Sequence, residues 1–240
     1  IRRTGWLGKK TELTGNLVVA MFQHDTSRAQ DPQLHTHALV LNATQRDDAE
    51  WRSLHSRPLF EHKMAAGNVY RAALALSLQR AGFEIEQTHA DGRFEIASVP
   101  QEILETFSKR RADIEAKLAS WNQEGAEMSA RAALKTRAHK RPSSMAERRE
   151  SWAAEAAALG FDPAQGLREG MTGEDRTPPV SNRDRLAILR DAIDRLSERE
   201  AAFTNADLVR ATLAAGMGKL NVADSKTIAD EASRTKSEDL

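Results

Sequence analysis

"GNLVVAMFQHDTSRAQDPQLHTHALVLNAT", residues 15–44, reads as two extended apolar segments on either side of a polar connection. Leu17 to Phe22 is a strand candidate ending at His24, and "LHTHALVLNAT" is a second, rich in Leu and Val and preceded by Pro32. In a strand, residues i and i+2 project from one face, about 6.6 to 6.8 Å apart along the chain. His35 and His37 therefore stand side by side. The ten residues between His24 and His35, with Asp25, Asp31 and Pro32 among them, are enough to return the second strand antiparallel beside the first. Three imidazoles then converge on one point. A lone strand histidine would read as a hydrogen-bonded side chain, but burying two same-face imidazoles with no ligand leaves polar nitrogens unsatisfied. Neutral imidazoles suit zinc, copper, iron and nickel, and three protein ligands with open coordination positions are the pattern of a catalytic metal site. His24, His35 and His37 are the candidate ligands.

Composition bounds what surrounds this site. The 240 residues suffice for one large domain or a domain with a smaller neighbour. Lys plus Arg and Asp plus Glu each number 35, so overall charge selects no partner. Locally, residues 131–149 hold seven basic side chains (Arg131, Lys135, Arg137, Lys140, Arg141, Arg148, Arg149) against Glu147 alone, a stretch that either meets phosphates or forms a solvated helix face. The absence of cysteine excludes disulfides and thiolate metal sites. No apolar run of membrane-spanning length and no signal-peptide pattern is found, so the expected location is cytoplasmic, without membrane insertion.

The remainder divides into a mixed part and a helical part. "EWRSLHS" is a possible third strand, and residues 59–80 carry a helical period closed by Gly82. "FEIEQT" and "RFEIAS" alternate around Asp91-Gly92, which predicts a hairpin. Pro100 fits the first position of a helix reaching about Ser120. Ser144 with Glu147, Ser181 with Asp184, and Thr204 with Asp207 are capping boxes that open three more helices. Leu186, Leu189, Ile193 and Leu196 share one face, and residues 162–180, with Gly, Pro and charge but no period, read as a linker. The fold class is α+β: an antiparallel sheet carrying the three-histidine site, packed by helices, then a small all-helical C-terminal segment.

The segment from "GNLVVAMFQHD" through "DPQLHTHALVLNATQ", with "EWRSL" and "AAGNVYRAALALSLQRAGFEIE", resembles the metal-binding part of the TrwC/TraI-type conjugative relaxases, a branch of the HUH endonucleases. The likeness runs from about Gly15 to Phe161 and is densest over residues 22–45. "LSEREAAFTNADLVRATLAAGMG" resembles, more weakly, the start of the helicase region that follows. The implied division is 1–161 relaxase, 162–180 linker and 181–240 helicase-region helices. The implied reaction nicks and religates one strand of plasmid DNA at the transfer origin: a tyrosine attacks the scissile phosphate, forming a 5′-phosphotyrosine and a free 3′-hydroxyl. His24, His35 and His37 match the three ligands of a divalent ion (Zn, Mn or Mg), and Arg28 is a candidate contact to single-stranded DNA, with an ion pair to Asp25 or Asp31 as the alternative. Other proteins of the conjugation machinery are implied partners.

One departure stands out. The family's nucleophilic tyrosines precede the strand that ends at His24, as does a carboxylate that orients a ligand or the nucleophile. The sole tyrosine here, Tyr70, lies in a helical pattern with Val69, Leu74 and Leu76, where packing with a hydrogen-bonded hydroxyl is expected. The expectation is therefore of a fragment that keeps the metal triad and lacks the covalent nucleophile. His55, His62, His89 and His139 read as surface or hydrogen-bonding histidines, and Trp51, Trp121 and Trp152 as core side chains more readily than base-stacking platforms. No G-x-x-x-x-G-K-[ST] loop is present, so ATP-driven helicase chemistry is expected only beyond Leu240. Two other functions fit the residues. One is a metallohydrolase with Asp25 or Asp31 as base; the other is a non-catalytic DNA-binding module ordered by its metal.

Overall fold

The computed structural model describes residues 2–5, 8–137, 143–198 and 201–238, so His139, Lys140 and Arg141 lie outside the described residues. Contacts divide the chain into two compact units, Ile1–Pro58 with Pro100–Pro163, and Leu59–Val99 with Ala164–Leu240.

In the first unit, β1 (Arg2–Gly5) pairs antiparallel with β2 (Gly8–Thr11). β3 (Val19–Thr26) pairs antiparallel with β4 (Pro32–Val40), in register Val19 to Val40 through His24 to His35. β5 (Thr44–Gln45) pairs with β6 (Trp51–Arg52), so the third strand expected at "EWRSLHS" is two residues long. Thr44 is fully buried there, and its hydroxyl donates to Asn16 Oδ1 at 2.6 Å. The helix expected from Pro100 to Ser120 is two: α3 (Gln101–Thr106) and α4 (Lys109–Trp121). At the break, Ser108 Oγ donates to Leu104 O at 2.6 Å, a local bond of the kind by which serine competes with helix continuation. α5 (Ala126–Lys135) packs on α4, and the Arg110 guanidinium donates to the carbonyls of Ala133 and Thr136 at the end of α5. This cation meets carbonyls that α5 leaves without intrahelical partners. α6 (Met145–Ala158) opens on the expected capping box, Ser144 with Glu147, and Gly160 follows its C-cap in the left-handed region that glycine favours.

In the second unit, α1 (Arg57–Glu61), which begins just before the boundary, leads into α2 (Lys63–Arg80), with Gly82 at the C′ position. β7 (Ile85–Gln87) and β8 (Phe94–Ile96) form the expected hairpin, paired Ile85 to Ile96. At its turn, a Cβ on Gly92 would lie 2.6 Å from Met217 Cε, so close packing excludes a side chain. The stretch read as a linker contains a helix, α7 (Pro163–Gly170), whose last residue is buried. α8 (Asn182–Ser197) and α9 (Asn205–Ala215) both carry their expected capping boxes, and α10 (Val222–Glu238) follows. The buried stripe of α8 is Ile188, Ala192 and Leu196, flanked by Leu189 and Ile193, while Leu186 is exposed. These residues cover Leu208, Leu220, Ile228 and Ala229, and a separate cluster in this unit brings Ala72 and Ala75 of α2 against Leu213 and Met217.

Tyr70 corrects an expectation. The buried positions of α2 are Asn68, Ala72, Ala75, Leu76 and Gln79, a single 3.6-period stripe, and Tyr70 is two residues off it, on the far side of the helix. It is 56% exposed, and its hydroxyl has no hydrogen-bond partner among the described residues. The fold is α+β throughout, and no helix among the described residues is long and apolar enough to cross a membrane.

Candidate metal centre

The register of β3 and β4 builds the site. Directly opposed residues of an antiparallel pair share a face, so His24 and His35 meet across the ladder and His37, two residues along, joins them. The ring centroids lie 5.5 Å (His24–His35), 4.7 Å (His24–His37) and 5.0 Å (His35–His37) apart. One nitrogen from each ring falls within 4.8 Å of the other two. Nitrogens at about 2.1 Å from a shared ion stand no more than about 4.2 Å apart, so side-chain adjustments of about half an ångström close the set. His24 and His35 are half-buried and His37 is exposed, leaving one side of the group open to a further ligand.

Two local features aim the rings. Past His24 the register slips: Thr26 pairs with Pro32, so β4 carries one extra residue, a bulge beside the histidines of the kind that re-aims side chains. At that bulge, the Gln33 carbonyl lies 2.9 Å from His35 Nδ1. A carbonyl only accepts, so Nδ1 carries the proton and Nε2 is left as the free donor atom, the tautomer control common at histidine metal sites.

The connection between the strands is tied to helices by polar bonds. Asp31, 2% exposed, accepts from Ser27 Oγ at 3.1 Å and from the Arg110 N–H at 3.4 Å at the start of α4, with Lys109 Nζ 3.8 Å from its other oxygen. It acts as an N-cap supplied from another segment. The Trp152 indole donates to Gln30 O at 2.8 Å. Arg148 pairs with Asp25 at 2.9 Å, and that hydrogen bond holds the Asp25 carboxyl below its ordinary range. Both carboxylates offered as partners for Arg28 are thus engaged elsewhere, and Arg28 has no hydrogen-bond or ion-pair partner among the described residues.

Histidines, connection and helix α6 enclose an open cavity of about 560 Å³, with His24, His35, His37, Arg28, Ser143 and Arg148 among its walls. Arg148 emerged from the sequence only as one charge in the basic stretch; its pairing with Asp25, 123 positions away, carries no local signal. Trp51 is exposed, Trp152 serves the connection, and Trp121 sits under Lys117, with 5.3 Å from Nζ to the ring centroid.

The family model for the TrwC relaxase matches residues 1–159. The chain is 34% identical over 222 residues to the multifunctional conjugation protein TraI of Escherichia coli, covering 85% of this chain and 12% of that protein, and 33% identical over 225 residues to the TraI of strain K12. Among solved structures it is similar to the conjugative relaxase TrwC in complex with oriT DNA. The metal-free complex is 36% identical with a TM-score of 0.63, covering 68% of this chain and 58% of that one. The copper-bound complex gives 36% and 0.62, covering 68% and 56%. TrwC with a 27-mer comprising the recognition hairpin and the cleavage site also gives 0.62. The chain thus spans a small part of TraI and under two thirds of these TrwC chains.

Proposed function

The chain belongs to the TrwC relaxase family, and on that premise we propose that it forms the metal-binding part of a conjugative relaxase, acting on single-stranded DNA at a plasmid transfer origin from a cytoplasmic location. The observation that carries this reading is the convergence of three imidazole nitrogens within 4.8 Å, inside the family-matched segment. His24, His35 and His37 would hold a divalent ion; relatives have been solved copper-bound and metal-free on oriT DNA. When bound, the ion supplies Lewis-acid polarisation of the scissile phosphate and offsets the charge that grows on its oxygens.

The other roles belong to this chain's own groups. Gln33 O, by holding Nδ1–H, keeps His35 presenting Nε2. Arg28, with no internal carboxylate, offers a planar fork that fits two phosphate oxygens. Arg148, held by Asp25 and lining the same cavity, adds a fixed positive wall. The tyrosine nucleophile of the reaction is not assigned: the one tyrosine is exposed on α2 in the second unit, and residues 1–69 contain none. The metallohydrolase reading loses its bases, since Asp25 is a weakened base beside Arg148 and Asp31 is buried against Ser27 and α4.

Titrating Mn²⁺ or Zn²⁺ into the apo chain by calorimetry tests the reading. One ion should bind per chain, and single-stranded dT12 should bind with an affinity that falls log-linearly with salt, by a slope of about −0.7 per phosphate contact. No metal binding, or a flat salt response, overturns it.

A further inference from the structure

The two faces of the β3–β4 hairpin carry different chemistry. One holds His24, His35 and His37. The other carries Val19, Met21 and Gln23 from β3 and Thr36, Ala38 and Val40 from β4, and all six are exposed. None of the six is charged, and Asp25, the next β3 residue on that side, is paired with Arg148. Among the described residues neither strand has a second neighbour. A two-stranded hairpin is marginally stable at best in water, and a layer packed on its apolar face is what such a pair lacks. This face offers no charge to a phosphate or an ionic peptide. For the same reason it does not repel a copy of itself.

The relief of the face is self-complementary. Met21 lies directly opposite Ala38 in the ladder, and Val19 opposite Val40. Met21, 75% exposed, is a knob beside the dent that the small Ala38 leaves. A two-fold axis through the middle of the face sets Met21 of one copy over Ala38 of the other, and the reverse contact forms at the same time, as in an isologous interface. The unbranched thioether adapts to such a dent without strain.

We propose that this face is an interface between two copies of the chain, whose hairpins pack face to face about 10 Å apart with their histidines turned outward. The inference goes beyond the metal-centre reading and stands without it. The continuous ladder from Val19 to His24 is about 17 Å long and, with two strands, about 10 Å wide, a footprint of roughly 200 Å² per copy. Exposed Leu17, Val18 and Leu41 extend it at one end. A stable dimer buries about 800 Å² per partner, so the pair is weak and reversible, with a Kd of about 10–100 μM.

The test is sedimentation velocity on the full chain without metal, over about 5 to 300 μM, a range that brackets the expected Kd. The mass should rise from one copy to two and stop there. Met21→Lys should weaken the pair by more than about tenfold, since it sets two ammonium groups at the centre. Met21→Gln, of similar size, should weaken it about threefold. Ala38→Met fills the dent and should weaken it too, although it adds apolar surface. Leu39→Lys, the same kind of change on the histidine face, should leave the pair intact, and every variant should keep the parent's circular dichroism. Raising salt to about 1 M should not dissociate it, because no ion pair holds it. A chain that stays monomeric at the top of the range overturns the proposal. Association lost equally in Leu39→Lys, strengthened in Ala38→Met, or growing past two copies also overturns it.

Discussion

The β3–β4 hairpin and the helical part of the second unit are both rich in apolar side chains, yet they hold those side chains in opposite ways. No residue of either strand is buried; Met21 is 75% exposed and Leu34 71%. In the second unit Leu213 is almost wholly enclosed in a cluster with Ala72, Ala75 and Met217, and Leu220 in one with Ile188 and Ile228. The hairpin's position comes instead from directional polar bonds at its connection: Asp31 to α4, Asp25 to Arg148 and Gln30 to Trp152. Apolar packing is tolerant of direction, whereas hydrogen bonds fix distance and angle, which is what three converging ligands require. Placing a site by polar clamps leaves its open face free for a ligand.

The sharpest way to break this comparison is to remove the same side chain from each region. Leu213→Ala should destabilise the second unit by about 2–5 kcal/mol, the range for deleting a buried leucine. Leu34→Ala should cost less than about 0.5 kcal/mol, as exposed positions do. Chemical denaturation followed by circular dichroism and by exchange within each unit reads both. Similar losses at the two sites would mean that the hairpin is packed after all.

A second substitution separates placement from ligation. His35→Ala should lower affinity for Mn²⁺ or Zn²⁺ by at least about tenfold, roughly 1.4 kcal/mol, while leaving helical content unchanged. His62→Ala, at the start of α2, is the control and should bind as the parent does. Equal affinity in His35→Ala would remove the triad as the metal site.

How much of this was legible in the sequence follows from the range of the forces. The two strands, the face shared by His35 and His37, the three capping boxes and Gly82 at C′ are local, set by spacing within a few residues, and the structure has them where the pattern places them. The family likeness was equally legible, because it rests on one contiguous motif. Tyr70 was misread because Val69 and Leu74 look apolar in sequence yet are exposed, whereas α2 buries the stripe Asn68, Ala72, Ala75, Leu76 and Gln79. The break at Ser108 and the helix α7 escaped notice because neither changes the hydrophobic period. The clamps escaped it because their partners lie 79 and more positions apart.

One clamp can be removed without touching charge. Trp152→Phe deletes the indole N–H that donates to Gln30 O and, with it, the five-membered half of the ring, so it should cost at least about 1 kcal/mol, the net value of one hydrogen bond. If the connection is placed by polar bonds, the loss should appear as faster exchange in residues 27–31 and weaker metal binding, with the helices unchanged. Loss of α6 with no change at the connection would show that Trp152 serves packing alone.

The smallest effect expected concerns the helical unit, where polar bonds occur at helix starts. The Asp207 carboxylate accepts from Thr204 Oγ1 at 2.6 Å and Thr204 N at 3.1 Å, and these bonds lower its pKa. A group whose folded pKa is depressed contributes fully above its unfolded value, about 3.9, and loses that contribution as pH falls through the folded value. Protection of the first-turn amides of α9 should therefore stay constant from neutral pH down to about pH 5, then fall about twofold in more acid solution, corresponding to a few tenths of a kcal/mol. Asp207→Asn keeps a carbonyl acceptor for Thr204 N–H and has no charge to lose, so its protection should be flat over the same range. Hydrogen exchange expressed as protection factors removes the pH dependence of the chemistry itself. An equal acid response in Asp207→Asn would assign the effect to other carboxylates. A twofold response confined to α9, beside the full loss from Leu213→Ala, would show that in this unit hydrogen bonds trim the ends of helices while burial holds them in place.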